Sequence, residues 1–388
     1  GRPEASIWFH DETLPLASAG RVNAMMSDAA ASDDSDLRNI VHVGTPLTAA
    51  GMAAAETIGA NGKQLLVAMV LGYEAAGRIA ASITPGFRQR GFHGCLGAIF
   101  ASAVVTARLL QLDANQMAHT LALSATSIGG LMAAANTSVA REYHAGLATM
   151  LGIEAANAAR LGFTAELGIF EADKGFCAAF GGTNGEGITD DLGDEWDIDT
   201  DMAIKLVPGG HHNHATAEAA GNAAREGNVD ADDVEAIVVS RPGLEVLAEP
   251  IHPNDLIDMA HSLAYFAAAG VADHGFGWEH ASTRKIADPV VHKLIDRVAI
   301  GPAPTEHRDD YRQGATVCVR TRSGRSFSNT VLIPKGAACL GIAWADVDEK
   351  FRTLMLANHS VIDVENALCK IRELDEASDV RQLLNALT

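Results

Sequence analysis

Four stretches of this chain, Lys63 to Ser82, Leu96 to Leu112, Asn115 to Ser127 and Gly146 to Leu161, carry apolar residues at helical spacing on nearly every face. The run LLVAMVLGYEAAGRIAASI, which starts at Leu65, has almost no polar side to show to water. In a soluble protein a helix of this kind must be enclosed by other helices, so the pattern predicts a large helical domain with a buried bundle at its centre. Hydrophobic residues make up 48% of the chain and aromatics only 5%, so small side chains fill that interior and the helices pack closely. Asp113 is placed to cap the third of these helices.

Past the bundle the pattern changes. Gly181 to Asp201 is acidic and rich in glycine, and two short strand-like runs follow, Ala236 to Ser240 and Thr316 to Thr321. A turn at Ser323 and Gly324 leads into a further run from Phe327 to Ile333. Between them Ala260 to Ala272 and Asp288 to Asp296 read as helices, the second leading into Val298 to Ile300. Helical periodicity returns over Val347 to Leu356 and Val361 to Leu387. At 388 residues the chain exceeds the size at which single cores stop growing. The expected fold is therefore mainly α with an α+β lid. Residues 1–200 and 336–388 form one large all-helical domain from both chain ends, and residues 201–335 form a smaller α/β domain.

A formal charge of −20 argues against nucleic acid as a partner, because that affinity rests on clustered cations neutralising phosphates. A small anion is still compatible, since a few local cations outweigh distant charge that salt screens over about 8 Å. The five cysteines are widely spaced and never in a CxxC pair, which fits reduced thiols and a cytoplasmic setting. The chain opens without a signal-peptide pattern, and the apolar run from Leu96 to Val105 ends at Arg108, far short of the ~20 residues of a membrane span. Neither a membrane partner nor a leader is expected. No phosphate-cradling loop, strand-borne GxGxxG, HExxH or GxSxG is present.

The densest polar signal is Lys205-Leu-Val-Pro-Gly-Gly-His211-His212-Asn213-His214, where a Pro-Gly-Gly bend brings three histidines to the start of an alanine-rich helix. Such a start attracts anions, and imidazoles titrate nearest to neutral pH. The same residues admit a metal reading, with His211 and His214 at i and i+3, and a structural one, with histidines capping a helix. Asp33-Asp34-Ser35 followed by His42 lies in a stretch without periodicity, where Asp-Asp-Ser is also an ordinary cap. Arg90-Gly91-Phe92-His93-Gly94 sets a glycine-flanked histidine before a buried helix. Arg141-Glu142-Tyr143-His144 places a cation and a histidine at the start of the next, where arginine's planar fork matches a carboxylate. His261 and Tyr265 fall at i and i+4, on one helical face, with a buried and satisfied tyrosine as the alternative.

Taken in order, these segments resemble the MmgE/PrpD family, which includes 2-methylcitrate dehydratases, cis-aconitate decarboxylases and iminodisuccinate epimerases. The resemblance is carried by Asp33-Asp34-Ser35, Gly59-Ala-Asn-Gly-Lys63 to Gly72-Tyr73-Glu74, Arg90-Gly91-Phe92-His93, Arg141-Glu-Tyr-His144-Ala-Gly146 and Gly175-Phe176. Lys205-x-x-Pro208-x-x-His211-x-x-His214, His261-Ser-x-x-Tyr265 and Lys350-Phe351-Arg352 complete it, so it spans essentially the whole chain. It implies a helical domain built from both chain ends, a smaller lid, an active site between them, and a homodimer. It also implies site residues at Ser35, His42, His93, Arg141, His211 and Tyr265, with Lys205 close by and His214 supporting His211. Two positions depart from members acting on tricarboxylates: Ala31 stands where an Asp is usual, and Arg141 replaces an active-site lysine. The chain begins close to Gly-Arg-Pro-Glu, so one or two helices that precede this segment in the family are not in the sequence.

The shared chemistry is proton transfer α to a carboxylate, where preorganised donors stabilise the developing charge. The expectation is a lyase of the dehydratase kind acting on a small hydroxy di- or tricarboxylate without a cofactor or metal. His211 or His93 would take the proton, Tyr265 or His42 would return one, Arg141 would clamp a carboxylate and Ser35 would orient it. The alternatives are an isomerase, epimerase or decarboxylase on a related acid, a metal-dependent lyase built on His211, His212 and His214, and a degenerate carboxylate-binding protein.

Overall fold

The computed structural model describes residues 1–127 and 129–384, apart from the side chains of residues 136 and 137. The last three residues of the helical run expected from Val361 to Leu387 therefore lie outside the described residues. The chain divides into two compact units, residues 1–202 with 342–388 and residues 203–341.

The first unit is a helical bundle. Its main helices are α1 (Leu16–Ala29), α2 (Gly44–Ile58), α3 (Gly62–Ser82), α4 (Cys95–Leu109), α5 (Ala114–Ala125) and α6 (Ala140–Arg160). The helix α4 is buried at fourteen of its fifteen positions, which is why its sequence has no polar face. It packs on α2, α3, α5 and α6. Close approach is made possible by small residues: a Cβ on Gly152 of α6 would meet backbone atoms Ala103 N and Ile99 O at 2.7 Å. Asp113 does cap α5, in a reciprocal box with Gln116. Asn61 and Gln64 do the same for α3. By length and composition α3 is apolar enough to cross a membrane, a property the sequence reading did not assign to it. In the bundle it carries a buried Glu74, ion-paired with Arg78.

The unit is not wholly helical, which corrects the sequence expectation. A two-residue hairpin pairs Ala5–Ser6 with Thr13–Leu14, and Asp34–Asp36 is a short strand. The helices α1 and α2 were not marked by periodicity, because α2 is buried on almost every face and rich in Ala, Gly and Thr. From the C-terminal segment, Trp344–Met355 and Val361–Arg372 are helices, and Val380, Leu383 and Leu384 belong to the same core as Leu47, Leu65 and Phe100.

The second unit is α+β. Its sheet comprises β1 (Val234–Ser240), β2 (Val298–Ile300), β3 (Ala315–Thr321) and β4 (Ser326–Val331), in the order β2-β1-β3-β4. The pair β1 and β2 is parallel, with Ile237 opposite Val298, and the other pairs are antiparallel. Along β3 the residues Ala315, Val317, Val319 and Thr321 are buried and their neighbours are not, the period-two pattern of a sheet covered on one face. The cover includes α7 (His214–Gly227), which packs on β3, β4 and α9 (Leu263–Asp273). Before α9 comes α8 (Leu256–His261), and α10 (Pro289–Ile295) leads to β2. The single helix expected over Ala260 to Ala272 is two: Ser262 ends α8 and its hydroxyl caps α9 by accepting from Tyr265 N at 3.2 Å.

Candidate active site

His93 sits just before α4, and its backbone N–H donates to Gly130 O at 3.0 Å. Burial, reinforced by the neighbouring His42, His144, Arg88 and Arg141, holds its pKa well below the usual histidine range. The ring is thus neutral at physiological pH. Its Nδ1 is buried without a hydrogen-bond partner among the described residues, and so is the Nδ1 of His144. The two rings lie 5.2 Å apart between centroids. An orphaned buried ring nitrogen costs on the order of 1–3 kcal/mol, and such groups are retained where a reaction or a ligand uses them.

The segment before α2 is held on several sides. Tyr73 donates to Asp34 Oδ2 at 2.6 Å, and Gly44 N donates to Asp34 Oδ1 at 2.8 Å. Arg38 binds Asp36 at 2.6 Å and Asp197 at 2.5 Å, clamping the segment to the far end of the unit's first stretch of chain. Burial raises Asp197 to about 6 against the pull of Arg38, so desolvation outweighs the ion pair at that carboxyl. Ser35 is completely buried inside this frame, 3.3 Å from His42 Nδ1. His42 Nδ1 also lies 2.7 Å from Asp34 O, a carbonyl that only accepts, so Nδ1 carries the proton and Nε2 the lone pair. Asp33 stands 3.3 Å from the same nitrogen.

Arg141 lies in the first turn of α6. Its Nε donates to Asp28 Oδ2 at 2.9 Å and its Nη2 to Asp28 O and Glu142 Oε1, both at 3.0 Å. The expected open carboxylate fork is thus partly occupied by protein acceptors, and Nη1 is the nitrogen without a hydrogen bond among the described residues. Arg88 uses Nε and Nη2 on the carbonyls of Asn39 and Ile40.

In the second unit Lys205, His211 and His214 are all buried. A short 3₁₀ turn, His211–Asn213, leads into α7. The rings of His211 and His214 are 4.5 Å apart, and His214 stacks on Phe266. The carbonyl of His212 accepts from Arg241 at 2.6 Å. Gly209 takes φ +89°, and a Cβ there would meet the Phe266 ring at 2.7 Å, so the bend preceding the histidines requires glycine. Among the described residues, the three side chains whose ligand atoms converge are His93, Cys95 and His144, and not His211, His212 and His214.

Tyr265 and His261 do not share a helical face, because the chain breaks between them at Ser262. Tyr265 is a core residue whose hydroxyl donates to His280 O at 2.8 Å, and burial pushes its phenol up. The ring nitrogen Nδ1 of His261 donates to Ile257 O at 2.8 Å. The bland alternative for the tyrosine is the one the geometry supports, since its proton is committed to a backbone carbonyl.

Cys95, Arg88 and Asp28 are not singled out as site residues from sequence, and His144 is marked with Arg141 but given no role of its own. Cys95 follows His93 by two and His144 follows Arg141 by three, so the signal lay in segments already marked. An apolar cavity of about 540 Å³ in the first unit, lined by Trp8, Met26, Met52, Met69, Phe351 and Ile371 among others, contains none of these candidates.

The chain is 25% identical to human cis-aconitate decarboxylase over 353 residues, covering 88% of this chain and 72% of the relative. The Mus musculus cis-aconitate decarboxylase is 25% identical over 355 residues, 87% of this chain and 71% of its own. The cis-aconitate decarboxylase-like protein oryM of Aspergillus oryzae is 26% identical over 407 aligned positions, 95% and 81%. Sequence models of the MmgE/PrpD N-terminal domain and the MmgE/PrpD C-terminal domain match residues 1–187 and 207–372. With nearly its whole length accounted for by these two domains, the chain belongs to the MmgE/PrpD family.

Proposed function

We propose that this protein is a cofactor-independent lyase that moves a proton at a carbon next to a carboxylate of a small tri- or dicarboxylate. The observation that carries this reading is His93: a neutral, partly accessible imidazole with an unpartnered buried Nδ1, set beside two arginines and two further histidines. A neutral ring can accept a proton from carbon, and bound carboxylates would raise its basicity as the neighbouring cations lower it. Arg141, through Nη1, and Arg88 would offset the charge that develops on the substrate. The imidazolium that His93 becomes would return that proton, and His42, its tautomer set by Asp34 O with Ser35 beside it, would present its Nε2 lone pair to a substrate hydroxyl. Tyr265 is left out, its hydroxyl being engaged.

Loss of hydroxide follows removal of that proton, whereas loss of carbon dioxide leaves the C–C electron pair on carbon and is completed by a proton delivered there. Dehydration follows from a hydroxy acid substrate. Decarboxylation is the second reading, favoured by the cis-aconitate decarboxylases among the relatives. Incubating the protein with citrate, 2-methylcitrate and cis-aconitate in deuterated water, followed by NMR and by carbon dioxide release, separates the readings. A new double bond without gas marks dehydration, gas marks decarboxylation, and deuterium exchange alone marks an isomerase. Ligand-dependent thermal stabilisation without turnover of any acid would leave the binding-protein reading. Wild-type rates in a His93→Asn protein would overturn the assignment of the site. A homodimer, proposed from the family, is checked by sedimentation.

A further inference from the structure

We propose that His93, Cys95 and His144 form a binding site for a soft divalent metal ion, with Zn²⁺ as the best match. One donor atom from each lies within 4.8 Å of those of the other two. Zinc holds sulfur at about 2.3 Å and nitrogen at about 2.0 Å, so tetrahedral closure needs shifts of only ~1 Å. Both imidazoles have Nδ1 buried with no partner among the described residues, so each has a ligating nitrogen to offer. Both are held neutral by burial, the protonation state a metal requires.

The surroundings are shaped for this cluster. Cys95 opens α4 and His144 lies in the first turns of α6, two helices that pack directly on each other. The thiol donates to Gly129 O at 3.0 Å, which aims the sulfur. Gly130 takes φ +132°, and a Cβ there would stand 2.6 Å from Cys95 Sγ and 3.4 Å from the His144 ring. Only glycine leaves the cluster its space. The cluster supplies two neutral nitrogens and one sulfur, without a carboxylate. That donor set is soft, which selects zinc or copper over magnesium or calcium. Three protein ligands leave a fourth position for water or a substrate carboxylate.

Burial pushes the Cys95 thiol up to about 12, so it is protonated when the site is empty. Binding breaks the S–H bond, forms the sulfur–metal bond and releases one proton to the buffer, with no change of oxidation state. The inference stands apart from the proposed lyase chemistry: both draw on the His93 Nδ1 lone pair, so a bound metal blocks that ring as a base and the lyase reading belongs to the metal-free site.

The test uses the whole chain, stripped with a chelator and titrated with Co²⁺, a zinc surrogate whose thiolate complexes absorb in the near ultraviolet. Variants His252→Asn and His292→Asn, introduced together, remove the exposed imidazole pair joined at 3.0 Å as a background site. The expected result is one equivalent of Co²⁺ with a thiolate charge-transfer band, displaced by Zn²⁺. The band is expected to be lost in Cys95→Ser, and Zn²⁺ affinity in equilibrium dialysis to fall at least tenfold in His144→Asn. Circular dichroism confirms that both variants fold. Failure to bind stoichiometrically, a Co²⁺ spectrum without the band, or a band unchanged in Cys95→Ser would overturn the site. A His93→Asn protein that loses turnover but keeps the band would sink this proposal while leaving the lyase reading standing.

Discussion

The burial that keeps the His93 ring neutral also makes stability depend on pH. The ring's folded pKa lies well below the ordinary histidine value near 6.5, chiefly through burial. The unfolded chain therefore binds the proton more readily, and stability falls as pH drops below 6.5 towards the folded pKa. A His93→Asn protein should show a shallower loss of urea midpoint between pH 7 and pH 5 than the wild type. If the ring is the base, kcat should fall about 10²- to 10⁴-fold in that variant, and the acid limb of wild-type kcat/KM should lie below pH 6.5. A second residue-scale prediction concerns Arg141 and Asp28, whose side chains are 18% and 7% exposed and 2.9 Å apart. Arg141→Met removes the cation paired with a buried carboxylate, and chemical denaturation should register a loss of about 3 kcal/mol. Adding Asp28→Asn should return most of it, whereas additive losses would mean the pair is not coupled.

At the scale of elements, Ser262 separates two helices that periodicity alone reads as one. The apolar pattern runs through Ala260, Leu263 and Ala264 without interruption, so nothing marks the break except a serine, a residue that also sits mid-helix. Its hydroxyl both caps α9 and donates to Ile251 O at 2.8 Å. Ser262→Ala should cost about 1–2 kcal/mol, read as a lower thermal midpoint. Ala31 is the converse case, an L residue held at φ +47° between α1 and the Asp33-Asp34-Ser35 segment. Ala31→Gly should stabilise the fold by on the order of 1 kcal/mol, since glycine takes that conformation without the Cβ clash. Elements with a chemical signature were legible in sequence: the Asp113 cap, the strands around Ile237 and Val317, and the helix starting at His214. Those without one were not, such as α2, whose burial on almost every face removes the contrast that periodicity needs. For the candidate site, polar clusters marked the segments that carry His93, His42 and Arg141, but the Arg141 partner and the Tyr265 acceptor depend on residues 113 and 15 positions away. No local pattern encodes such pairings.

Among the described residues there are two hydrophobic cores with different dependence on chain continuity. The core of the second unit draws its buried members from Ala217 to Val319, a single stretch of chain. The core of the first unit closes only with residues from the C-terminal segment: Val380, Leu383 and Leu384 are buried in it, and Ile371 and Leu374 pack against it. Backbone bonds add to this closure, with Gly62 N donating to Ala377 O at 2.9 Å and Val380 N to Ala60 O at 3.0 Å. Each buried leucine or valine contributes roughly 1.5–3 kcal/mol, so losing three of them together removes a large part of a typical domain's 5–15 kcal/mol. A chain ending at residue 341 should therefore lose its first unit and keep its second. Hydrogen exchange read by mass spectrometry should show protection retained in β1 and β3 and lost in α2 and α4, with near-ultraviolet signals from Tyr265 and Phe266 persisting. Protection kept in Leu47–Ala55 would show that the C-terminal helices decorate the bundle instead of completing it.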